Sequence, residues 1–165
     1  MLHGLLLPSG NDAAIALAQR ASGTVRAFVA AMNQRARAMG LVCTQFSSPS
    51  GFADRGNHSC AADLAALARA VLRTPRLARI VRRRSAALRF PIAGGRLFLY
   101  NTNPLLRMGY RGITGLKTGY TVAAGRCLVA TARRGGRRLG AVLLHSPDPG
   151  RQAQMLLDRG FRAER

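Results

Sequence analysis

From Thr24 to Met39 the apolar residues Val25, Phe28, Val29, Met32, Ala36 and Met39 recur at steps of three and four. That spacing places them on one face of an α-helix, and Gly40 follows as a left-handed stop. Leu64, Leu67, Ala68, Val71 and Leu72 repeat the pattern in a helix that opens at Ser59. Pro75 ends it or begins a further turn through Val81, since proline is tolerated only at a helix start. A shorter, alanine-rich run from Asp12 to Arg20 reads as a helix entered from a polar loop, with Ser9 or Asn11 placed to cap its free amides. The apolar stretch before it, Met1 to Pro8, reads as core: it is short and has no basic region of the kind that opens a secretory leader. Between the second and third helices, 41–58 is rich in Ser, Pro, Gly, Asn and Asp and reads as a long irregular connection.

Beyond Ser85 the period changes from helical to alternating. Ala87 to Ile92 and Arg96 to Tyr100, separated by Gly94-Gly95, predict a small hairpin. Ile113 to Tyr120, Cys127 to Arg133 and Arg138 to His145 predict three more strands, the last two joined through Gly135-Gly136 as an antiparallel pair. A helix from Gly150 to Arg159 closes the chain. Helices, then strands, then a helix argue for an α+β fold with an antiparallel sheet and against a doubly wound one. A helical lobe spans 1–84 and a strand region with the final helix spans 85–165. A three-stranded sheet under one closing helix leaves an edge and a face that a complete domain would pair or cover.

Length and composition fit one globular unit: 165 residues, 48% of them apolar. The formal charge of +20 invites a polyanion-binding reading. However, the arginines are scattered, with short clusters only at 82–84 and 133–138, and aromatic residues make up 5%, too few for base-stacking platforms. Nucleic acid is therefore not expected as a partner. Cys43, Cys60 and Cys127 stand far apart, as do His3, His58 and His145. No metal-ligand spacing is present, and buried free thiols are the expectation.

Against this arginine-rich background, Lys117 is the only lysine in the chain. A position that keeps lysine needs what arginine cannot supply, a compact ammonium on a flexible stem whose pKa responds to its surroundings. Lys117 opens Lys117-Thr118-Gly119 on a predicted strand, and Ser9-Gly10-Asn11 sits in a distant loop before a helix. A Ser-x-Asn element and a Lys-Thr-Gly element together are two of the three signatures of penicillin-recognising serine enzymes; the remaining one is Ser-x-x-Lys.

On these residues the chain resembles the low-molecular-weight penicillin-binding proteins, the serine-type D-alanyl-D-alanine carboxypeptidases of the β-lactamase and transpeptidase-like superfamily. The likeness extends through Leu5 to Ala14, Met32-Asn33 to Gly40, Thr44, Phe46, Gly51, Asn101 to Leu106, Gly115 to Thr121 and Ala124-Gly125. It implies acyl transfer on the D-Ala-D-Ala end of a peptidoglycan stem peptide, inhibition by β-lactams, no cofactor and a location on the outer side of the cytoplasmic membrane. It also implies supporting catalytic roles for Ser9, Asn11 and Lys117, carboxylate binding by Thr118 and Arg151, and a cleft wall formed by Gly119, Tyr120 and Thr121. Asn101 and Asn103 read more simply as turn residues that satisfy backbone groups.

One element of the family is absent from these 165 residues. Only eight residues precede Ser9, and position 114, where a Ser-x-x-Lys ending at Lys117 would need serine, is Thr114. The expectation is therefore an incomplete transpeptidase-like domain, inactive on its own for want of the nucleophile. The alternative is a non-catalytic basic module that binds an anionic cell-wall polymer.

Overall fold

The structure is a computed structural model that describes residues 1–52, 55–90 and 94–163. Five helices come first: α1 (Leu2–Leu6), α2 (Asn11–Ser22), α3 (Val25–Ala38), α4 (Ala61–Arg73) and α5 (Pro75–Val81). A hairpin of β1 (Ser85–Arg89) and β2 (Arg96–Tyr100) leads to the short α6 (Pro104–Arg107). An antiparallel sheet of β3 (Ile113–Thr121), β4 (Gly125–Arg134) and β5 (Arg137–Leu143) follows, and α7 (Pro149–Arg162) closes the chain. The α+β expectation holds. The far end of the predicted hairpin strand, including Ile92, lies outside the described residues, as do 53 and 54 of the irregular connection.

Local chemistry explains most of the boundaries. Thr24 caps α3 by accepting a hydrogen bond from the Ala27 amide at 3.1 Å, and Asp148 caps α7 by accepting from the Arg151 amide at 3.0 Å. Pro75, Pro104 and Pro149 each sit in the first turn of a helix, where no amide partner is needed. Gly135 and Gly136, both at positive φ, form the two-residue turn between β4 and β5 that matches the twist of the strands. The expected cap of α2 is different: the cap position is Gly10, neither Ser9 nor Asn11 accepts a capping bond, and Asp12 instead takes the Ala13 amide. Two helices were not foreseen, α1 and α6, because one turn of helix leaves too short a pattern to distinguish from an apolar run.

Packing places α7 on one face of the three-stranded sheet. Leu105, Tyr110, Leu128, Ala130, Ala132, Ala153, Leu157 and Phe161 form the core there. Arg134 is held between the rings of Tyr110 and Phe161, 4.6 and 4.7 Å from their centroids, and pairs with Asp158 at 3.1 Å. The other face is covered by the helical lobe, where Val81 of α5 and Ala68 of α4 pack on Leu116 of β3 and Val129 of β4. This corrects the expected bare face. What remains open is edges: among the described residues β3 and β5 each pair on one side only, both with β4.

The cysteine expectation is overturned as well. Cys43 and Cys60 form a disulfide with a Cα–Cα separation of 5.9 Å, while Cys127 is free. The connection that looked irregular folds back on itself through an isolated bridge between Gln45 and His58, which brings the two cysteines together. Buried Asp63 braces the same turn by accepting from the Cys43 amide and the Thr44 hydroxyl. With the sulfurs bonded to each other, Cys43, Cys60 and Asp63 offer no thiolate to a metal.

Candidate active site

Ser9 lies in the turn between α1 and α2 with φ of 64°, a left-handed conformation that is uncommon for a residue with a Cβ. The turn is held from both sides. Leu7 is fully buried against Ile80, Ala86 and Leu99, and the Gly10 amide donates to the Gly4 carbonyl at 2.9 Å. Gly10 has little room for a side chain, since a Cβ would meet Asp12 Oδ1 at 2.8 Å and the Gly4 carbonyl at 3.1 Å. Non-glycine residues held at positive φ cluster at functional sites, where the surrounding fold stabilises the strain. Ser9 and Asn11 are both exposed, and neither side chain makes a hydrogen bond within the described residues.

Lys117 rises from the middle of β3, opposite Val129 of β4. That register partner, Val129, packs against the cluster of Ala68, Val81 and Leu116. The Lys117 side chain is partly buried. Burial therefore pulls its pKa down to about 8 from the usual 10.5, and Nζ donates to the Thr118 carbonyl at 2.8 Å. A lysine in this state is a weak ammonium that can act as proton donor or acceptor near neutral pH.

Asn101-Thr102-Asn103 connects β2 to α6. The Asn101 carboxamide donates to the Val81 and Arg83 carbonyls and accepts from the Asn103 amide, and Asn103 in turn caps α6 by accepting from the Leu105 amide. Both asparagines are buried and satisfy backbone, as expected. Between them, Thr102 donates its amide to the Leu7 carbonyl at 3.2 Å and places its hydroxyl 3.4 Å from the same oxygen. That hydroxyl is also hydrogen-bonded to the Thr118 hydroxyl. Leu7 is two residues from Ser9, so this bridge ties the Ser9 turn to the Lys-Thr-Gly strand. No expectation singled out Thr102; its presence between the two asparagines was visible, but its bonding partners are 95 and 16 positions away in sequence.

The remaining site residues divide. Gly119 and Tyr120 extend β3 into solvent, and Tyr120, 68% exposed, is not core packing. Thr121 is engaged locally, its hydroxyl accepting from the Ala124 amide in the β3–β4 turn. Arg151 lies in the first turn of α7 with an exposed side chain, and among the described residues no hydrogen bond joins it to Ser9, Asn11 or Lys117. The helix start is nonetheless tethered near the Tyr120 end of the sheet: Arg126, the register partner of Tyr120, donates to the Pro147 carbonyl, and its own carbonyl accepts from the Ser146 amide. Among the described residues no hydrogen bond joins Lys117 to Ser9, and the Lys117 ammonium donates to the Thr118 carbonyl instead.

Gly115 and Gly119 differ in their surroundings. Gly115 has φ of 132°, and a Cβ there would stand 3.0 Å from Val81. At Gly119 the nearest neighbour of a Cβ would be Cys127 at an ordinary 3.7 Å, and φ is not positive. Nothing among the described residues demands glycine at 119, so the fold itself accommodates a methyl group there. Gly119→Ala is expected to leave the melting temperature within about 2 °C. The same change should weaken binding of an extended peptide at this strand about tenfold, as read by calorimetry.

This chain is similar in sequence and in fold to D-alanyl-D-alanine carboxypeptidases. The D-alanyl-D-alanine carboxypeptidase profile of peptidase family S11 matches residues 1–148. The D-alanyl-D-alanine carboxypeptidase DacF of Bacillus subtilis is 37% identical over 164 residues, covering 98% of this chain and 42% of the relative. DacB2 of Mycobacterium tuberculosis is 40% identical over 169 residues, covering 98% and 57%. Among solved structures, a point variant of the Streptomyces K15 DD-transpeptidase superposes with a TM-score of 0.90 at 32% identity, covering 97% of this chain and 66% of that one. The chain thus spans about half the length of the curated relatives it matches. With its strained Ser9 turn bridged to a strand bearing its single, half-buried lysine, and with the family profile matched across nearly its whole length, the chain belongs to the D-alanyl-D-alanine carboxypeptidase family.

Proposed function

We propose that this chain supplies two of the three active-site elements of a serine-type D-Ala-D-Ala carboxypeptidase that acts on peptidoglycan stem peptides by acyl transfer. The observation that carries the reading is the Thr102 bridge, which brings the Ser9 turn beside Lys117 and Thr118 on an open strand edge. The helical lobe, 1–84, and the strand region, 85–165, together form a partial catalytic domain. The attacking serine and the lysine that activates it are not among these 165 residues, so this chain alone does not form the acyl-enzyme.

Each residue has a place in that chemistry. An extended peptide adds to the free edge of β3 by main-chain hydrogen bonds, and Gly119 keeps that edge clear. Thr118 and Arg151 take the terminal carboxylate through charge-assisted bonds, while Tyr120 and Thr121 shape the mouth of the cleft. Lys117, with its lowered pKa, draws the anionic end of the substrate inward and sustains proton movement through Ser9 to the leaving amine. Asn11 holds the substrate amide. β-Lactams enter the same groove. The disulfide between Cys43 and Cys60 supports a location in the oxidising cell envelope. Among the described residues, no helix is long and apolar enough to cross a membrane.

The test is calorimetric titration of the protein with diacetyl-L-Lys-D-Ala-D-Ala and with the same peptide as its C-terminal amide. Preference for the free carboxylate by about tenfold is expected, the worth of one charge-assisted contact. Equal affinity for both overturns the reading. If that equality came with salt-sensitive retention on poly(glycerol phosphate), the chain would be a polymer-binding module instead. Fluorescent penicillin is expected to leave the 165-residue chain unlabelled.

A further inference from the structure

We infer that Thr102 is a positioning residue for substrate recognition, a hydroxyl that turns the Thr118 proton toward the substrate carboxylate. The inference rests on the role proposed above for Thr118 and adds a second hydroxyl behind it. A threonine hydroxyl carries one proton and can accept two bonds. Thr102 Oγ1 faces two oxygens: the Leu7 carbonyl, which can only accept, and Thr118 Oγ1, which can do either. Two proton arrangements satisfy this triad.

In the empty site Thr118 donates to Thr102, and Thr102 donates to the Leu7 carbonyl. When a carboxylate arrives, its charge requires a donor, so Thr118 turns its proton outward. Thr102 then reverses, donating to Thr118 and leaving the Leu7 carbonyl. That carbonyl is not orphaned, because the Thr102 amide also donates to it at 3.2 Å. The hydroxyl bond given up is long, 3.4 Å, so the reversal costs little. A donated bond from Thr102 also polarises the Thr118 hydroxyl and fixes its rotamer, both of which strengthen its bond to the carboxylate. The same residue anchors the Ser9 turn through Leu7, which couples carboxylate recognition to the position of Ser9.

The experiment compares the free-carboxylate and amide forms of diacetyl-L-Lys-D-Ala-D-Ala on wild type, Thr102→Val, Thr102→Ser and Thr118→Val. Valine keeps the shape and the backbone bond to Leu7 and removes only the hydroxyl. Thr102→Val is expected to cut the preference for the carboxylate about fivefold, with little change in affinity for the amide. Thr102→Ser should restore the preference. In a Thr118→Val background, Thr102→Val should have no further effect on it. A purely structural role would weaken both ligands alike, and undiminished preference in Thr102→Val would overturn the inference while leaving the carboxypeptidase reading intact. Wild type without any preference would overturn both. Thr102→Ala, which also keeps the backbone bond, reads the same ratio if the valine variant folds poorly.

Discussion

Lys117→Met is expected to make the protein more stable at pH 7 and at the same time to remove its affinity for an anionic peptide end. The ammonium is largely withdrawn from water, which pulls its pKa to about 8 against 10.5 in the unfolded chain. Each unit of difference is worth about 1.4 kcal/mol, so holding the charge in place at neutral pH costs on the order of 3 kcal/mol. The bond from Nζ to the Thr118 carbonyl is lost in the variant and returns part of this, leaving a net gain of about 2 kcal/mol. The sign follows from which state takes up the proton first. As pH falls from 10.5 the unfolded chain is protonated before the folded one, so the wild type loses stability relative to the variant between 10.5 and about 8. Below about 8 the deficit is complete. Denaturant unfolding of both proteins at about pH 7 and about pH 10.5 checks this: the variant should be the more stable at the first, and its advantage should be gone at the second. Equal stability near neutral pH would mean that water reaches Nζ and that the lysine is an ordinary surface cation.

The second large effect belongs to the disulfide. Cys43 and Cys60 are separated by 17 positions, and closing a loop of that length removes unfolded-state entropy worth about 3 kcal/mol at 25 °C. The double change Cys43→Ser, Cys60→Ser should therefore lower the melting temperature by roughly 10 °C for a chain of this size. The two single variants should each match the double, since either one breaks the bond. The loss should be local in origin. Asp63 still accepts from the Cys43 amide and the Thr44 hydroxyl, so α4 keeps its start, while the turn between α3 and α4 becomes the first region to exchange amide protons. A reductant should reproduce the loss in wild type and have no effect on the double variant.

Most elements, and the residues that make up the candidate site, could be picked out from the order of residues. Steps of three and four along α3 and α4, alternation along β4 and β5, and Gly135-Gly136 between them are local codes, because helix and strand periods and turn conformations act over a few residues. Lys117 stood out for a compositional reason: it is the only lysine in an arginine-rich chain, and arginine does not replace a lysine whose pKa must shift. Ser9 and Asn11 became legible only as the counterpart of Lys117-Thr118-Gly119, since alone they read as a helix cap, a role the structure gives to Gly10. Whatever depends on contacts across long separations was settled by packing. The folded chain joined Cys43 to Cys60 through the bridge of Gln45 with His58, and it covered the second sheet face with α4 and α5. It lowered the Lys117 pKa by burial and set Thr102 between Leu7 and Thr118. Desolvation and through-space hydrogen bonds depend on what the whole chain packs against a side chain, and no local pattern encodes them.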